Sequence, residues 1–404
     1  MADLSETLEE TVRRERGRIV AGLVRLCGGL DAAEDAFHEA VLAAMRAWQG
    51  GLPDSPGAWL TAAARNAALD ARRRGALAAR LPPPEEAVDA RETIDTVTDD
   101  HLRLVFTCCH PALSLDNQLA LTLKVVSGLS TAELARAFVC PEETVSQRVL
   151  RAKRTLEELG VPYALPGKDE LAGRVEGVLA VLRAVFNEGH TASSGPLMRL
   201  DLQAEALRLG RLVCELLPTD PEAHGLLALM AFGAARAKAR EGPDGTPILL
   251  DAQDRSRWDR RLVREGLVAL QRARTLGGRG PRVLEAELAA LHVTAPRWEE
   301  TDWAAIVAVY DRLLEAAPSP VASLNRAVAV SMLEGPAAGL ALLEPLARPL
   351  AGYHLFHAVR ADLLARAGLD PRPDLERALA LSANEGERRL LEVRLQAARQ
   401  ARGA

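Results

Sequence analysis

Aromatic residues, long apolar runs and regularly spaced cysteines are what this sequence lacks. Phe, Trp and Tyr make up 3% of its 404 residues, and Ala, Leu and Arg are abundant, which favours helices over sheets. No apolar run approaches the ~18 residues of a membrane-spanning helix, and the N-terminal residues have no apolar core of a secretory signal. We therefore expect an all-α protein with no membrane span and no secretory signal.

The cysteines are too few and too scattered for a disulfide framework. They are Cys27, Cys108, Cys109, Cys140 and Cys214. An odd, scattered set predicts free thiols in a reducing cytoplasm. Cys108, Cys109 and His110 invite interpretation as a metal site, but neighbouring cysteines rarely direct both thiolates at one tetrahedral ion, and no CxxC pair follows. We expect thiols buried in a helix instead, and no metal ion.

The residue patterns of catalysis are also missing. The sequence contains no HExxH and no GxSxG, and its histidines lie far apart except for His354 and His357. Cys109 and His110 form the only pair that resembles a nucleophile and its base. We therefore predict that the chain is not an enzyme, has no catalytic residue and needs no cofactor.

The most informative feature that is present is a basic helix-turn-helix pattern at residues 130–158. Ser130 followed by Glu133 predicts a capping box at the start of its first helix. The turn is expected near residues 139–140, and Pro141 suits the first turn of the second helix. Because the net charge of the chain is −5, any surface that binds nucleic acid has to be local.

The second helix of this pattern has two different faces. Val145, Val149, Leu150 and Leu156 are spaced to face inward. Thr144, Gln147, Arg148, Arg151 and Arg154 fall mostly on the other side. A polar, cationic face of this kind suits the major groove of DNA. A hairpin whose basic face is only solvated is the alternative.

Two helices with polar faces are predicted before this motif. Asp31 is expected to cap a helix that ends at Trp48. This helix carries an acidic stripe of Asp31, Glu34, Asp35 and Glu39. Such a stripe suits a basic partner, with a solvated face as the alternative.

A second helix is predicted over residues 58–74, after the Gly- and Pro-rich loop 49–57. Its inward residues are expected to be Trp59, Leu60, Ala63 and Ala67, with Leu69 as a further candidate. Its polar side carries Arg65, Asn66, Arg72, Arg73 and Arg74.

Residues 82–100 form an acidic stretch between the two N-terminal blocks. Three prolines open it, and seven acidic residues face one base, Arg91. We expect an extended, solvated linker.

The chain is predicted to be helical again from about Asp169 to its end, with Pro- and Gly-rich breaks between pieces of one or two helices. The pieces 319–347 and 352–382 are similar to one another at an offset of about 30 residues. Helix pairs with small residues at close-packed positions and a period near ~34 residues are typical of tetratricopeptide (TPR) arrays, with independent hairpins as the alternative. We predict a TPR-like α-solenoid domain.

Three motifs within the first 160 residues resemble those of extracytoplasmic-function (group IV) sigma factors, in that family's order. Residues 32–48 resemble regions 2.1–2.2, with His38 where the family usually has Gln. Residues 58–74 resemble the WLxxIARNxxLDxxRR pattern of regions 2.3–2.4, and residues 141–156 resemble the recognition helix of region 4.2. The segments FTCCHPALS, FNEGHTASSG and LLDAQDRSRWDRRL resemble the group of these factors that has a long TPR-like C-terminal extension.

The resemblance implies a domain order and a function. It places a region 2 domain at 8–80, an acidic linker at 81–100, a region 4 helix-turn-helix domain at 101–160 and a TPR-like domain at 168–400. The chain is then expected to be a sigma factor that binds core RNA polymerase, recognises −35 and −10 promoter elements and initiates transcription. The rival hypothesis is a helix-turn-helix activator with a TPR-like sensor domain that binds duplex DNA unaided.

The expected contacts follow from the resemblance and from side-chain chemistry. The acidic stripe would bind the β′ clamp helices of the polymerase, and region 4 its β flap. Promoter DNA at the −10 element would be held by Arg65, Asn66, Arg72, Arg73 and Arg74. At the −35 element, Thr144, Gln147, Arg148 and Arg151 would read bases. Lys153 and Arg154 would contact phosphates there.

The C-terminal domain is expected to control the sigma domains. The resemblance implies no conventional membrane anti-sigma factor, so an intramolecular contact of this domain with the sigma domains, or a contact with the polymerase, is the alternative source of control. Whether it is needed for activity or holds the factor inactive is open. Segments 186–195 and 249–262 could line that contact through Glu188, His190, Asp251, Asp254 and Trp258, although cap and salt-bridge roles are the alternative.

Overall fold

The computed structural model describes residues 2–78, 94–137, 140–164, 166–191 and 197–400. The chain falls into two compact units, Met1–Ala184 (unit 1) and Val185–Ala404 (unit 2). The all-α prediction is confirmed. The described elements are α-helices and short 3-10 turns, with one isolated bridge between Glu241 and Pro247. Within these ranges there is no helix of the length and apolarity that a membrane span requires.

Unit 1 consists of helices that pack in two groups. They are α1 Ala2–Cys27, α2 Leu30–Ala47, α3 Pro56–Ala78, α4 Ile94–Cys108, α5 Leu115–Val125, α6 Thr131–Ala137, α7 Glu142–Glu158 and α8 Lys168–His190, which ends in unit 2. Helices α1, α2 and α3 pack together and bury Phe37 and Leu60 completely. Helices α5, α6 and α7 form the other group around Leu121, Leu134 and Val145. Helix α1 packs against α4 and also contacts α5, so the two groups are in contact.

The local signals of the helix-turn-helix are confirmed where the structure describes them. The amide of Ser130 donates to Oε2 of Glu133 at 2.7 Å, and the amide of Glu133 donates to Oγ of Ser130 at 3.1 Å, which is the predicted capping box. Helix α7 begins at Glu142, so Pro141 is its N-cap and lies one position before the first turn, whereas the sequence predicts it in that turn. The turn expected near 139–140 falls partly on residues 138–139, which lie outside the described residues.

Two predictions about individual helices are wrong. Helix α2 begins at Leu30 with Gly29 as N-cap, so Asp31 lies in the first turn and does not cap the helix. In α7, Leu150 is largely exposed, because Val145, Ala152 and Leu156 form its buried stripe.

The inward face of α3 differs by one position from the prediction. Leu60, Ala64 and Ala68 are completely buried, whereas Ala63 and Ala67 are only half-buried. Alanine-rich helices leave the buried stripe weakly marked, because small residues are tolerated on every face.

The acidic stretch before α4 is helical at its end. Residues 94–100 belong to α4, and the buried Asp100 pairs with Arg103 at 2.6 Å and with Arg25 at 3.6 Å. The expectation of an extended, solvated linker is therefore wrong for this part. Residues 79–93 lie outside the described residues.

The adjacent thiols at the end of α4 are buried, as expected for structural cysteines. Cys108 and Cys109 are almost completely inaccessible, and Sγ of Cys109 lies 3.5 Å from Oγ1 of Thr122. Burial raises the pKa of Cys109 to about 12. Because the thiolate is the reactive form, these thiols are inert at neutral pH.

Unit 2 continues as helices that pack mainly on their neighbours in sequence. They are α9 Leu200–Leu216, α10 Pro221–Ala235, α11 Arg260–Thr275, α12 Pro281–Thr294, α13 Trp303–Ala316, α14 Pro320–Glu334, α15 Pro336–Leu343, α16 His354–Arg366, α17 Arg372–Leu381 and α18 Glu385–Gln400. The starts of α14 and α16, at residues 320 and 354, have nearly the spacing of a TPR repeat.

Three apolar clusters run along unit 2 and share helices. One lies between α12, α13 and α14, one between α14, α15 and α16, and one between α16, α17 and α18. Because α14 and α16 each belong to two clusters, every helix pair buries its apolar face against the next pair. This is how a TPR-like α-solenoid is built.

Candidate functional site

The residues predicted to read the −35 element lie on α7, away from its buried stripe. Gln147, Arg151 and Arg154 are exposed, and Thr144 and Arg148 are half-buried. Helix α7 rests on α5, so the polar side stays open to solvent. An open face with amide and guanidinium donors is what readout of base edges in the major groove requires.

Arg148 is paired with an acidic residue of another helix. Its Nη2 lies 2.9 Å from Oδ2 of Asp116 at the start of α5, and the two side chains are 25% and 62% exposed. A pair this open to solvent is worth about 0–1 kcal/mol. Arg148 can therefore leave Asp116 at little cost.

Lys153 contacts α2, unlike the other cations predicted to bind the −35 element. Its Nζ lies 2.6 Å from Oδ1 of Asp31 and 2.5 Å from Oε2 of Glu34. Burial opposes the charge of Lys153, but the carboxylates of Glu34 and Asp31 outweigh it and raise the pKa of the ammonium group. The structure thus joins a residue predicted to bind DNA to two residues predicted to bind the polymerase.

Glu34 is the centre of a charged network, which we call the Glu34 network, formed with Arg16, Asp31 and Lys153. One carboxylate oxygen of Glu34 contacts Lys153, and the other accepts from Nη2 of Arg16 on α1. Glu34 and Arg16 are each only 6% exposed. The Arg16 guanidinium lies 5.3 Å from the centre of the Phe37 ring. Buried charges persist only when they are paired in this way.

The acidic stripe of α2 is therefore divided. Asp31 and Glu34 face α7, whereas Asp35 and Glu39 are exposed. Oε1 of Glu39 lies 3.6 Å from Nη2 of Arg74 on α3, in an exposed pair. Only part of the predicted polymerase site is free of contacts with region 4 in this arrangement.

The residues predicted to bind the −10 element lie on α3, behind the loop that follows α2. Asn66, Arg73 and Arg74 are exposed, and Arg65 and Arg72 are half-buried. The buried Trp48 packs edge-on against Trp59, with ring centres 5.6 Å apart, so the two ends of the loop are held together. Gly51 has a φ of +133°, which side chains rarely adopt.

Sequence reasoning missed two residues that hold unit 1 together. Arg16 shares a face of α1 with the buried Val20, and this charge on an apolar face was the signal for a buried partner. The Tyr163 hydroxyl lies 2.9 Å from the carbonyl oxygen of Ala21 and 2.7 Å from that of Asp100. It joins the segment after α7 to α1 and α4, and no pattern marked it.

The motif-like segments of unit 2 contribute caps and buried groups. Asp254 accepts from the amide of Ser256 at 2.9 Å, which confirms a cap role. Trp258 is buried beneath Arg255, whose guanidinium lies 4.6 Å from the ring centre. Of the other predicted residues, Asp251 is exposed, while Glu188 and His190 are half-buried.

Comparison with known families matches three successive parts of the chain. Residues 11–77 match sigma-70 region 2, residues 103–156 match sigma-70 region 4, and residues 174–274 match a family of unknown function, DUF6596. The chain is 40% identical over 393 residues to Uncharacterized protein R00370 of Rhizobium meliloti (strain 1021), which covers 94% of this chain and 93% of that protein. No solved structure matches the sequence.

Proposed function

We propose that this chain binds core RNA polymerase and directs it to promoters with defined −35 and −10 elements. The basis is its family, since the chain belongs to the sigma-70 family as an extracytoplasmic-function-like sigma factor with a C-terminal extension. The observation that carries this proposal is the order of the matches, region 2 followed by region 4. An activator that binds DNA unaided needs the second of these and not the first.

The geometry of α7 supports a role in reading the −35 element. Its apolar side is buried by packing within unit 1. Its exposed side carries Gln147 and Arg151 beside Arg148, which is held only by the exposed pair with Asp116. Arginine recognises guanine through N7 and O6, and glutamine recognises adenine through N6 and N7. On α3, Asn66, Arg73 and Arg74 are accessible to the melted −10 strand.

The polymerase has to displace Lys153 to reach the whole acidic stripe. Asp31 and Glu34 are neutralised by Lys153 in this arrangement. A basic polymerase helix that binds the same carboxylates would replace one cation by another. Region 4 would then leave region 2 and become free to reach the −35 element. The described arrangement is thus the form of the factor without polymerase.

Run-off transcription with core RNA polymerase on genomic promoter fragments tests the proposal. The full chain is expected to start transcripts at defined positions. If it starts none, yet protects duplex DNA in the absence of polymerase, the helix-turn-helix activator replaces the sigma factor as the interpretation.

A truncated chain tests the proposal that the C-terminal domain controls activity. The cut belongs after residue 191, because Arg174 of α8 donates to the carbonyl of Phe106 at 3.1 Å and is buried in unit 1. Loss of transcripts on truncation would make unit 2 an activator, and gain would make it an inhibitor. Unchanged transcription would contradict control by this domain.

Arg148→Ala is expected to weaken transcription at one −35 position by about 1–3 kcal/mol, which is roughly 5- to 150-fold. The substitution removes the proposed bidentate contact to a guanine. Transcription from a set of promoters, each changed at one −35 position, measures the effect. Asp116→Ala is the control, since it removes only the partner that holds Arg148 and should cause no loss. An equal loss at every position would instead assign Arg148 to a phosphate.

A further inference from the structure

Unit 2 gathers three arginines and two histidines where three helices end. We call them the arginine cluster: Arg236, Arg240, Arg255, His190 and His292. His190 ends α8, Arg236 and Arg240 follow α10, and His292 lies in the last turn of α12. Arg255 comes from the segment 249–262, which the sequence singled out and which the sigma function does not use.

Two of these arginines have evident structural roles. Arg240 donates through Nη1 to the carbonyl of His190 and through Nη2 to Oγ1 of Thr191 at 3.2 Å. Arg255 donates through Nη1 to the carbonyls of His292 at 2.8 Å and Ala295 at 2.6 Å. Both cap helix C-termini, whose carbonyls lack partners in the helix and carry partial negative charge.

Arg236 has no such role. Its Nε donates to Oε1 of Gln253 at 3.2 Å, and Gln253 is itself held by donating to the carbonyl of Ile248 at 2.9 Å. Across the described ranges of the chain, no carboxylate lies within ion-pair distance of Arg236. The charged groups that act on it most are Arg240 and Arg255. The residue as a whole is half-buried.

Acidic residues act on two arginines of the cluster but not on Arg236. Glu387 and Glu241 raise the pKa of Arg240 against the effect of burial, and Glu299 does the same for Arg255. Burial, together with Arg240 and Arg255, lowers the pKa of Arg236 to about 10, so it stays charged at neutral pH. Burial and the neighbouring arginines lower the pKa of His292 to about 4 and that of His190 well below its usual value. Both imidazoles are therefore neutral, and three guanidinium charges remain close together.

Several nitrogens around the cluster are buried without a partner in the described structure. They are Nη2 of Arg255, Nε1 of Trp258, and Nδ1 of His190 and of His292. Buried polar groups in folded proteins are nearly always paired, and an exception calls for an explanation. Nη2 of Arg255 and Nε1 of Trp258 are donors, and the guanidinium of Arg236 has no carboxylate partner among the described residues. An anionic acceptor would satisfy all three.

We propose that the arginine cluster binds a small ligand through a phosphoryl or carboxylate group, with the guanidinium of Arg236 as its main contact. The planar guanidinium donates two parallel hydrogen bonds to such an oxyanion. Several of the nitrogens without a partner are buried, which favours a small ligand over a nucleic-acid strand. None of its residues is among those proposed for promoter and polymerase binding.

Thermal unfolding and calorimetric titration of the full-length protein test this proposal, first with inorganic phosphate and then with succinate. Sodium chloride is adjusted to hold the ionic strength constant. At least one of the two anions is expected to bind saturably and raise the melting temperature. A response to phosphate alone assigns a phosphoryl ligand, and a response to succinate alone assigns a carboxylate.

Arg236→Gln is expected to raise the dissociation constant of the responding anion at least tenfold, because the two parallel hydrogen bonds of the guanidinium are lost. Arg236→Lys keeps the charge and should give an intermediate value. Arg257→Gln is the matched control, since Arg257 is exposed and lies in the same short turn as Arg255. The proposal is overturned if neither anion does more than chloride, or if Arg236→Gln and Arg257→Gln have equal effects. No polymerase is needed, so this result is independent of the sigma function.

Discussion

Lys153→Glu is expected to raise the affinity of the chain for core RNA polymerase by up to roughly a hundredfold. The substitution places a third carboxylate against Asp31 and Glu34, which Lys153 now contacts at 2.6 Å and 2.5 Å. Close charge pairs of this kind contribute about 3 kcal/mol, and 1.4 kcal/mol is tenfold in an equilibrium constant. If region 4 has to leave region 2 before the polymerase binds, the apparent affinity rises with the open fraction.

Arg154→Glu is the matched control for this experiment. Arg154 is the next residue on α7, is exposed, and undergoes the same change of charge. Both variants lose a proposed phosphate contact at the −35 element, so both should weaken promoter binding. Only Lys153→Glu should bind core polymerase more tightly, as measured by titration with labelled protein.

The distance between α2 and α7 gives a second measurement. Fluorophores on exposed positions such as Glu39 and Arg151 should move apart in Lys153→Glu and stay close in Arg154→Glu. If the two variants bind core polymerase equally and their distances agree, then the contact with Lys153 does not hold region 4 on region 2.

Sequence patterns could predict the local parts of this site and not the contacts between them. The capping box of Ser130 and Glu133 depends on residues three apart, and the structure has it as predicted. The polar side of α7 follows in the same way from helical spacing. Lys153 and Glu34 are 119 residues apart, and each had a plausible external partner. Nothing in either helix alone indicates that they meet.

The errors have physical causes of the same kind. The buried stripe of α3 is off by one position because Ala63 and Ala64 are equally small, and only packing against α1 and α2 separates them. Asp100 was assigned to a solvated linker because acidic runs are usually solvated. Here Arg103 and Arg25 compensate its burial. In each case a residue was classified by its own chemistry before its partner was known.

Arg16→Met is expected to destabilise unit 1 by about 3–5 kcal/mol, since it leaves the buried carboxylate of Glu34 with Lys153 as its remaining partner. A methionine side chain can still pack on the Phe37 ring, so the loss of stability comes mainly from the missing charge. A cost of this size is a large share of the 5–15 kcal/mol that stabilises a typical domain. Urea unfolding measures it as a lower midpoint with an unchanged slope.

Two further variants separate the burial of charge from the loss of an arginine. Arg18 is on the same helix and pairs with Glu15 at 2.8 Å, but its side chain is 44% exposed, so Arg18→Met should cost less than about 1 kcal/mol. Adding Glu34→Leu to Arg16→Met removes the buried carboxylate that has lost its arginine partner, and it should recover most of the stability. A buried ion pair can often be replaced by apolar residues at little cost in stability. Equal destabilisation by Arg16→Met and Arg18→Met would mean that water reaches Glu34. The network could not then hold region 4 against region 2, and the expected effect of Lys153→Glu would disappear with it.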